Sequence, residues 1–507
     1  MNVHKILIIL ATLVVLLITS RSYQNQALSF HFVDEEDNLV LGKYLLQGEK
    51  LYEDLFSHHQ PLSYVFSAGV QKLTSPNSIF LLIKRHREAV IFWAAAWSIF
   101  LVARFGLPML LTVIIFEPLK IFLLGNLFLS ESLVVYPLVY LLSWAFLSHH
   151  PPTKYESVFL GFCFILTWLL LAPLWPATIF LFGMLLWQKK LLISDLLPFF
   201  LGSLPLLAVS LLFMTPAAYF NDVFYINFKY YIPLSGQPPL TQTALAAFFT
   251  PFLSLLSWEG RSATLQVTQF LSGLLILNWG LMLTKKQWKL VILMFLALGL
   301  INIRYVMPGQ QTYSGFHLLP WFASLILMAA ITTFIVWKSY QVRRWQLSGT
   351  ILLIGALSVT VKEAQGSLFA TYDINKDFYI NYSRQTDFGQ AVKIMKTPGE
   401  KLMVVPDEWL IYWQADIDHA SVMVNYYAWM SKVPQIRDPL YQIFAQTPPT
   451  YLYCDCKWGY FGLEEYFLRY VKLTRDGQET KLMVLKEKVP TLTKDQKDQL
   501  DFYNFKF

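Results

Sequence analysis

Long runs of apolar residues alternate with short polar stretches over the first two thirds of the chain. As helices rising 1.5 Å per residue, such runs can cross a hydrocarbon layer about 30 Å thick. The first run has the basic start of a secretory signal but lacks a small-x-small cleavage site, so we expect an uncleaved span. The pattern predicts eleven membrane-spanning helices, with approximate cores at residues 5–20, 88–105, 106–123, 131–148, 156–172, 173–188, 195–213, 265–284, 288–303, 316–337 and 347–362.

Basic residues between these runs predict the orientation, because short cytoplasmic loops retain Lys and Arg. With eleven spans, most loop cations fall on one side. They are Lys5, Arg104, Lys154, Lys189, Lys190, Lys285, Lys286, Lys289, Lys338, Arg343 and Arg344. We therefore expect residues 21–87, 214–264 and those after 362 to lie outside the cytoplasm. The basic residues at 84–87 break the pattern, so either the topology differs there or these cations have anionic partners.

The composition changes after about residue 362, where charges return and prolines become frequent. The whole chain is 55% hydrophobic and 14% charged, whereas soluble proteins carry about 25% charged residues. A membrane must therefore solvate most of the apolar surface. A helical pattern at 388–396 and strand-like runs at 401–405 and 450–453 predict a small α/β domain near the C-terminus.

The predicted fold class is an α-helical polytopic membrane protein of the cytoplasmic (inner or plasma) membrane, with about eleven transmembrane helices. Residues 1–362 form the multi-spanning domain, in which 21–87 is the first outer loop, and 363–507 form a soluble extracytoplasmic α/β domain. The net charge of +7 is explained by basic cytoplasmic loops, so nucleic acid is not an expected partner.

Four consecutive acids occupy the first outer loop at residues 34–37, before an apolar helical stripe at 38–47 and Gly48. In one interpretation they only start a helix, with Asp34 as its N-cap and the helix dipole stabilising the others. In the other they carry chemistry, since clustered carboxylates raise one another's pKa values and are costly unless a proton, a cation or a donor group uses them. A general base fits such a place.

The first loop resembles that of bacterial GT-C glycosyltransferases, which include the protein O-mannosyltransferase and aminoarabinose-transferase branches. The matching residues are the pair Asp34-Glu35, the turn Gly-Glu-Lys-Leu-Tyr-Glu-Asp at 48–54 and the box His-His-Gln-Pro-Leu at 58–62. The resemblance implies the GT-C fold, with Asp34 as catalytic base and Glu35 supporting it.

The resemblance also implies that His58 and His59 lie near the donor phosphate. The family box typically reads His-Lys-Pro-Pro-Leu. Here His59 stands where Lys is usual and Gln60 where the first Pro is usual, so a titratable group replaces a fixed cation.

Two weaker matches follow further along the chain. Glu131 begins a predicted span. In one interpretation it lies at the edge of the active-site cavity, as an orienting acid or a metal ligand. In the other it is simply a solvated carboxylate. Arg304 precedes the tenth span and His317 lies at its entrance, where the resemblance implies that both bind phosphate. A histidine at a helix entrance can also be structural. Arg suits this task because its fork offers paired donors to phosphate oxygens.

The resemblance implies a membrane glycosyltransferase. A sugar on a polyprenyl-phosphate donor passes to an extracytoplasmic hydroxyl of a protein, lipid or glycan, by an inverting displacement. Membrane lipids are further partners. We find no Gly-rich phosphate loop and expect no nucleotide cofactor. A divalent cation such as Mg²⁺ or Mn²⁺ could be held by Asp34 or Glu131, and metal dependence stays open.

A transporter or flippase of lipid-linked sugars is the alternative function. Such a protein would carry charges and broken helices near the middle of the membrane. The predicted spans have few charges away from their ends, whereas acids gather in the first loop. The pattern therefore favours the transferase over the transporter and over a non-enzymatic membrane protein.

Overall fold

The computed structural model describes residues 3–148, 150–188, 191–234, 240–257, 262–304, 306, 315–339, 343–455 and 462–507. The chain forms two compact units, each assembled from three stretches. Unit 1 comprises Met1–Gln26, His86–Val209 and Pro238–Tyr372, and unit 2 comprises Ala27–Arg85, Ser210–Gln237 and Asp373–Phe507.

Helices dominate the described part of the chain up to residue 369. They are α1 (Val3–Asn25), α2 (Val33–Leu46), α3 (Leu62–Thr74), α4 (Ile79–Phe105), α5 (Leu107–Leu119), α6 (Ser130–Leu147), α7 (Lys154–Leu170), α8 (Trp175–Trp187), α9 (Ile193–Phe213), α10 (Pro216–Tyr219), α11 (Ile232–Leu234), α12 (Leu240–Leu256), α13 (Ala263–Thr284), α14 (Trp288–Ile301), α15 (Leu319–Ser339) and α16 (Arg343–Phe369). Wider π-helical turns over Phe220–Tyr231 join α10 to α11, and short 3₁₀ turns cover Lys120–Leu123, Ala172–Leu174 and Phe316–Leu318.

A helix covers each of the eleven predicted spans, and the predicted polytopic helical fold is confirmed. Among the described residues, seven helices are long and apolar enough to cross a membrane: α1, α4, α6, α9, α13, α15 and α16. Three shorter apolar helices lie at Ala172–Trp187, Ala244–Leu256 and Trp288–Ile301. The protein is thus a multi-pass membrane protein.

Local sequence explains where several of these helices begin and end. Thr153 caps α7 with a reciprocal pair of bonds, in which Glu156 N–H donates to Thr153 Oγ1 and Thr153 N–H donates to Glu156 Oε2. The helical path breaks near Pro173, because α7 ends at Leu170 and α8 begins at Trp175. Proline lacks the N–H that would continue the helix.

The C-terminal part of unit 2 contains the predicted α/β domain. Its helices are α17 (Ile374–Met395), α18 (Leu410–Ala415), α19 (Pro434–Gln446) and α20 (Lys494–Phe502), with 3₁₀ turns at Ala428–Lys432, Glu464–Arg469 and Val489–Thr491. Its strands are β1 (Lys401–Val405), β2 (Asp418–His419), β3 (Tyr451–Cys454), β4 (Tyr470–Arg475), β5 (Gln478–Leu485) and β6 (Phe505–Lys506).

These strands form one six-stranded mixed sheet in the order β2-β1-β3-β5-β4-β6. The β1 strand pairs in parallel with β2 and β3, whereas the β3–β5, β5–β4 and β4–β6 pairs are antiparallel. The predicted strands at 401–405 and 450–453 are confirmed as neighbours, with Val404 opposite Tyr453. The β4–β5 hairpin is an element that the sequence analysis did not identify.

The helices of the first loop share one hydrophobic core with this domain. Leu39 and Tyr44 of α2 are fully buried in the same cluster as Tyr382 and Tyr412. The Tyr44 hydroxyl also donates to the Ile417 carbonyl oxygen at 2.9 Å. Each large aromatic side chain removes roughly 150–250 Å² from water. The first loop and the C-terminal domain are therefore one packed body.

Helices α2 and α3 approach each other at Gly42. A Cβ atom at this position would lie 2.5 Å from Ser67 Oγ, so no larger side chain fits without a shift.

The predicted boundary at residue 362 separates the spans from a domain outside the membrane, and it stays a prediction. Helix α16 runs to Phe369, and the C-terminal stretch of unit 2 starts at Asp373.

Candidate active site

The acids of the first loop lie in the first turn of α2. This helix begins at Val33, after buried Phe32 in an extended conformation, and no side chain caps it. The predicted N-cap role of Asp34 is therefore wrong, because Asp34 lies inside the helix. Acids in the first turn are nevertheless stabilised by the helix dipole.

Asp34 differs in burial from the acids that follow it. It is half-buried, whereas Glu35, Glu36 and Asp37 are 2%, 1% and 8% exposed. Glu35, the predicted supporting acid, therefore has almost no contact with solvent. Within this run of four acids, Asp34 is the most exposed to solvent.

The C-terminal domain brings Tyr427 close to these acids. Burial raises the pKa of Tyr427 well above its usual value, and the neighbouring carboxylates of Asp407 and then Asp34 add to the rise. The phenol therefore stays protonated and can act as a donor at neutral pH. Nothing in the sequence distinguishes Tyr427 from the other tyrosines of this domain.

Three hydrogen bonds from neutral side chains fix the histidine box. Tyr52, at a left-handed position with φ 69°, donates from its hydroxyl to the His59 carbonyl oxygen at 2.9 Å. The Asn227 amide donates to the His58 carbonyl oxygen, also at 2.9 Å. Tyr219 OH lies 2.9 Å from Gln60 Oε1. Helix α10 and the π-helical turns after it therefore hold the box from outside the first loop.

The His59 ring reaches back to α2. Its Nδ1 lies 3.5 Å from Asp37 Oδ2, and the same oxygen accepts a hydrogen bond from the Tyr64 hydroxyl at 2.7 Å. Tyr64 is also 2.7 Å from Ser57 Oγ. Two parts of the matched text, the acids and the histidine box, are thus joined within unit 2.

Aromatic rings surround the neighbouring His58. Its ring centroid lies 4.2 Å from that of His59, 4.7 Å from that of Tyr231 and 5.9 Å from that of Trp429. Tyr231 and Trp429 are themselves 5.2 Å apart. The first loop, the π-helical segment and the C-terminal domain each contribute a ring here.

Asp222 contacts the Ser57 backbone, next to the histidine box, and is 5% exposed. Burial raises its pKa to about 7, against the opposing effect of hydrogen bonds from the Asn221 side chain and the Ser57 backbone. Asn221 Nδ2 is 2.9 Å from Asp222 Oδ1. The proton on this carboxyl is therefore exchanged near neutral pH.

In unit 1 the structure brings the three remaining predicted site residues together. Glu131 stands in the first turn of α6, and His317 lies in the turn before α15. His317 Nδ1 is 2.8 Å from Glu131 Oε1 and 3.0 Å from the Arg304 guanidinium. The guanidinium is 3.9 Å from Glu131 Oε1.

The exposure of these three side chains differs. Glu131 has 7% of its side chain exposed, His317 31% and Arg304 42%. The acid is therefore the buried member of the cluster, and the two nitrogen-bearing side chains are partly exposed to solvent. Such a pair of donors on a buried carboxylate can receive an anion.

Comparison with known structures identifies the architecture. The chain is similar to the crystal structure of ArnT from Cupriavidus metallidurans in the apo state, with a TM-score of 0.55 at 10% identity, covering 93% of this chain and 97% of that one. The crystal structure of the same ArnT bound to undecaprenyl phosphate gives 0.51 at 12% identity, covering 94% and 97%. The chain has the ArnT fold. No family profile and no curated protein match the sequence.

The ArnT fold confirms the GT-C-like fold that the first loop implied. The likeness extends over both units, although the motif resemblance is specific only in the first loop. Because the identity is low, ArnT defines the fold here and does not assign roles to residues. The roles of Asp34, Glu35, His58, His59, Glu131, Arg304 and His317 stay predictions.

Several residues of the site escaped the sequence analysis. The aromatic stretch from 219 to 231 stands out in the sequence, but it is equally typical of a membrane-interface belt. The contacts of Asn227 with His58 and of Asp222 with Ser57 each cross more than 160 residues of chain. Only an alignment or a structure reveals such pairings.

Proposed function

We propose that the protein is a membrane glycosyltransferase that uses a polyprenyl-phosphate-linked sugar as donor. The single observation that carries the proposal is Asp34, a half-buried acid in the first turn of α2 and in one packed unit with the histidine box. The ArnT fold supports it, because one of the similar ArnT structures has undecaprenyl phosphate bound.

The reaction is a single inverting displacement. The acceptor hydroxyl attacks the anomeric carbon, a new carbon–oxygen bond forms, and the bond to the phosphate oxygen breaks as polyprenyl phosphate leaves. Asp34 takes the hydroxyl proton, a task that typically contributes about 10²–10⁴-fold to the rate. Glu35 is buried behind it and supports the helix turn that carries it.

Charge builds up on the leaving phosphate and requires compensation. His58 and His59 of unit 2 are one candidate pair of nitrogen-bearing groups for this task, and Arg304 with His317 of unit 1 is the alternative pair. Glu131 orients the latter pair. Arginine gives paired, permanently charged donors, whereas the imidazoles must first be protonated.

Asp34 and Glu131 are the candidates for holding a divalent cation such as Mg²⁺ or Mn²⁺. They belong to different units, so each is tested separately by chelation and metal add-back on its own variant. Activity that survives chelation would remove the cation from the proposal. No nucleotide cofactor is part of it, since the donor is a lipid.

The proposed site faces the extracytoplasmic side of the cytoplasmic membrane, as the basic loops indicate. We expect an impermeant thiol reagent to label Lys497→Cys in the exposed part of α20 on intact cells. Lys285→Cys, at the end of α13, should be labelled only after permeabilisation. The reverse pattern would overturn the orientation.

The decisive experiment measures sugar transfer by the purified protein in liposomes, with a panel of radiolabelled polyprenyl-phosphate sugars and acceptors. We expect Asp34→Asn to lower kcat by at least about 100-fold with little change in KM. Glu53→Gln, an exposed acid of the same loop, is the matched control and should transfer normally.

Two outcomes would contradict the proposal. Unchanged transfer by folded Asp34→Asn would remove Asp34 as the base. Movement of the labelled lipid across the bilayer without its consumption would establish the transporter alternative, and the acids of the first loop would then act as a substrate gate.

A further inference from the structure

A second group of ligand-type side chains lies in unit 2, beside the proposed catalytic acid but separate from it. It consists of His31, Glu36 and Glu408, whose ligand atoms all lie within 4.8 Å of one another. His31 stands just before α2, Glu36 in its first turn, and Glu408 in the loop before α18. The group therefore joins the first loop to the C-terminal domain.

The contacts of each member are defined. His31 Nε2 forms a hydrogen bond with Glu36 Oε1 and lies 3.2 Å from Gln385 Nε2. Glu36 Oε2 accepts from the backbone N–H of Leu410 at 3.4 Å. Arg384 donates to Glu408 Oε1 at 3.0 Å.

Glu408 supplies an independent sign of a missing ligand. It is 8% exposed, and its second oxygen, Oε2, is buried with no hydrogen-bond partner among the described residues. A buried carboxylate oxygen without a partner is costly, so native proteins rarely leave one. A bound cation would remove this cost.

The donor set decides the class of cation. One imidazole nitrogen and two carboxylate oxygens suit Zn²⁺ or Mn²⁺, whereas Mg²⁺ and Ca²⁺ prefer oxygen ligands alone. Arg384 neutralises part of the negative charge without occupying Oε2. Two carboxylates and one guanidinium leave a net negative charge for the ion to balance.

We propose that His31, Glu36 and Glu408 hold one divalent transition-metal ion, which ties the start of α2 to the C-terminal domain. This site is distinct from the cation candidates Asp34 and Glu131, and it does not depend on the transfer reaction. Its role is structural, because it fixes the helix turn from which Asp34 projects.

The test uses the full-length protein, purified in detergent, stripped with a chelator and reloaded with Zn²⁺ or Mn²⁺. We expect about one tightly held metal per chain and a higher apparent Tm for reloaded protein. Glu408→Gln and His31→Gln should each lower the metal affinity by at least about tenfold. Glu49→Gln is the matched control, since Glu49 pairs with His419 at 2.7 Å in the same unit and should leave binding unchanged.

X-ray absorption on the Zn²⁺-loaded wild-type protein gives a result that does not depend on whether a variant folds. We expect one imidazole nitrogen among oxygen ligands at about 2.0–2.2 Å. A wild-type protein that retains no metal, or a Glu408→Gln variant that binds as the wild type does, would overturn the proposal. Because binding and Tm are measured without substrate, failure here leaves the proposed transferase activity standing.

Discussion

Buried charges are satisfied differently in the two units. In unit 1, Glu117 and Lys120 are 1% and 2% exposed and lie 2.7 Å apart, and Tyr136 bonds to both. In unit 2, the buried acids Asp37 and Asp222 accept hydrogen bonds from neutral donors, although buried Glu408 pairs with Arg384. Tyr64 donates to Asp37, and Asn221 with a backbone N–H serves Asp222.

This difference indicates a division of tasks. A charge in an apolar helical unit must be paired with its opposite, because no water can solvate it. Asp222 of unit 2 lies outside the predicted spans, where its neutral donors allow its protonation to change near neutral pH. Proton acceptance therefore suits unit 2, and fixed cations for an anion suit unit 1.

The largest expected effect is on the paired charges of unit 1. Lys120→Met leaves Glu117 buried without its cation, and we expect a loss of roughly 3–5 kcal/mol of stability. Thermal unfolding in detergent measures this loss. The double variant Glu117→Gln/Lys120→Met should recover most of it. If Lys120→Met unfolds like the wild type, the pair does not stabilise unit 1.

The second prediction concerns the pH dependence of stability in unit 2. The folded protein has an Asp222 pKa of about 7, whereas an Asp in the unfolded chain has a pKa of about 4. Between these two pH values the folded protein holds a proton that the unfolded chain has lost. The contribution of Asp222 to stability therefore falls as pH rises from about 4 to about 7, by roughly 4 kcal/mol in total.

Asp222→Asn carries no titrating proton and should show a flatter pH profile. We expect its Tm to match that of the wild type at pH 4 and to exceed it at pH 8. Equal Tm differences at both pH values would show that Asp222 does not titrate in this range. Asp438→Asn, at an exposed carboxylate, is the control.

The third prediction tests the anion role of unit 1. Arg304→Ala should lower kcat/KM for the lipid-linked donor by about 10–100-fold, because a charge-assisted hydrogen bond contributes about 1.5–3 kcal/mol. Arg304→Lys should recover only part, since it retains the charge but not the fork. An unchanged kcat/KM in the alanine variant would assign the phosphate to unit 2.

The smallest expected effect is at the support of the histidine box. Asn227→Ala removes the hydrogen bond to the His58 carbonyl oxygen, worth about 1 kcal/mol. We expect transfer to slow by a few-fold with no change in expression. Asn375→Ala, at an exposed asparagine of α17, should transfer normally. A loss in both variants would indicate a general folding defect.

Local patterns allowed much of the fold to be predicted. Apolar runs predicted a helix at every span, because hydropathy is a property of each segment by itself. The strands predicted at 401–405 and 450–453 from their own residues are present at Lys401–Val405 and Tyr451–Cys454. The N-cap role of Asp34 failed because the packing of Phe32, one residue before the helix, decides where α2 begins.

The candidate site was predicted only in part. The order of residues in the first loop was sufficient to identify Asp34, His58 and His59 as candidates. No local signal identified Tyr427 or Asp222, because their importance depends on what packs against them. Their neighbours come from distant parts of the chain.

The sequence by itself determined that this is a polytopic membrane protein with acids and histidines in its first loop, since hydropathy and motif order are local properties. Only the tertiary structure decided that this loop belongs to the core of the C-terminal domain. Only it joined Glu36 to Leu410, 374 residues apart. Burial and long-range contact are properties of the folded chain, so no local pattern encodes them.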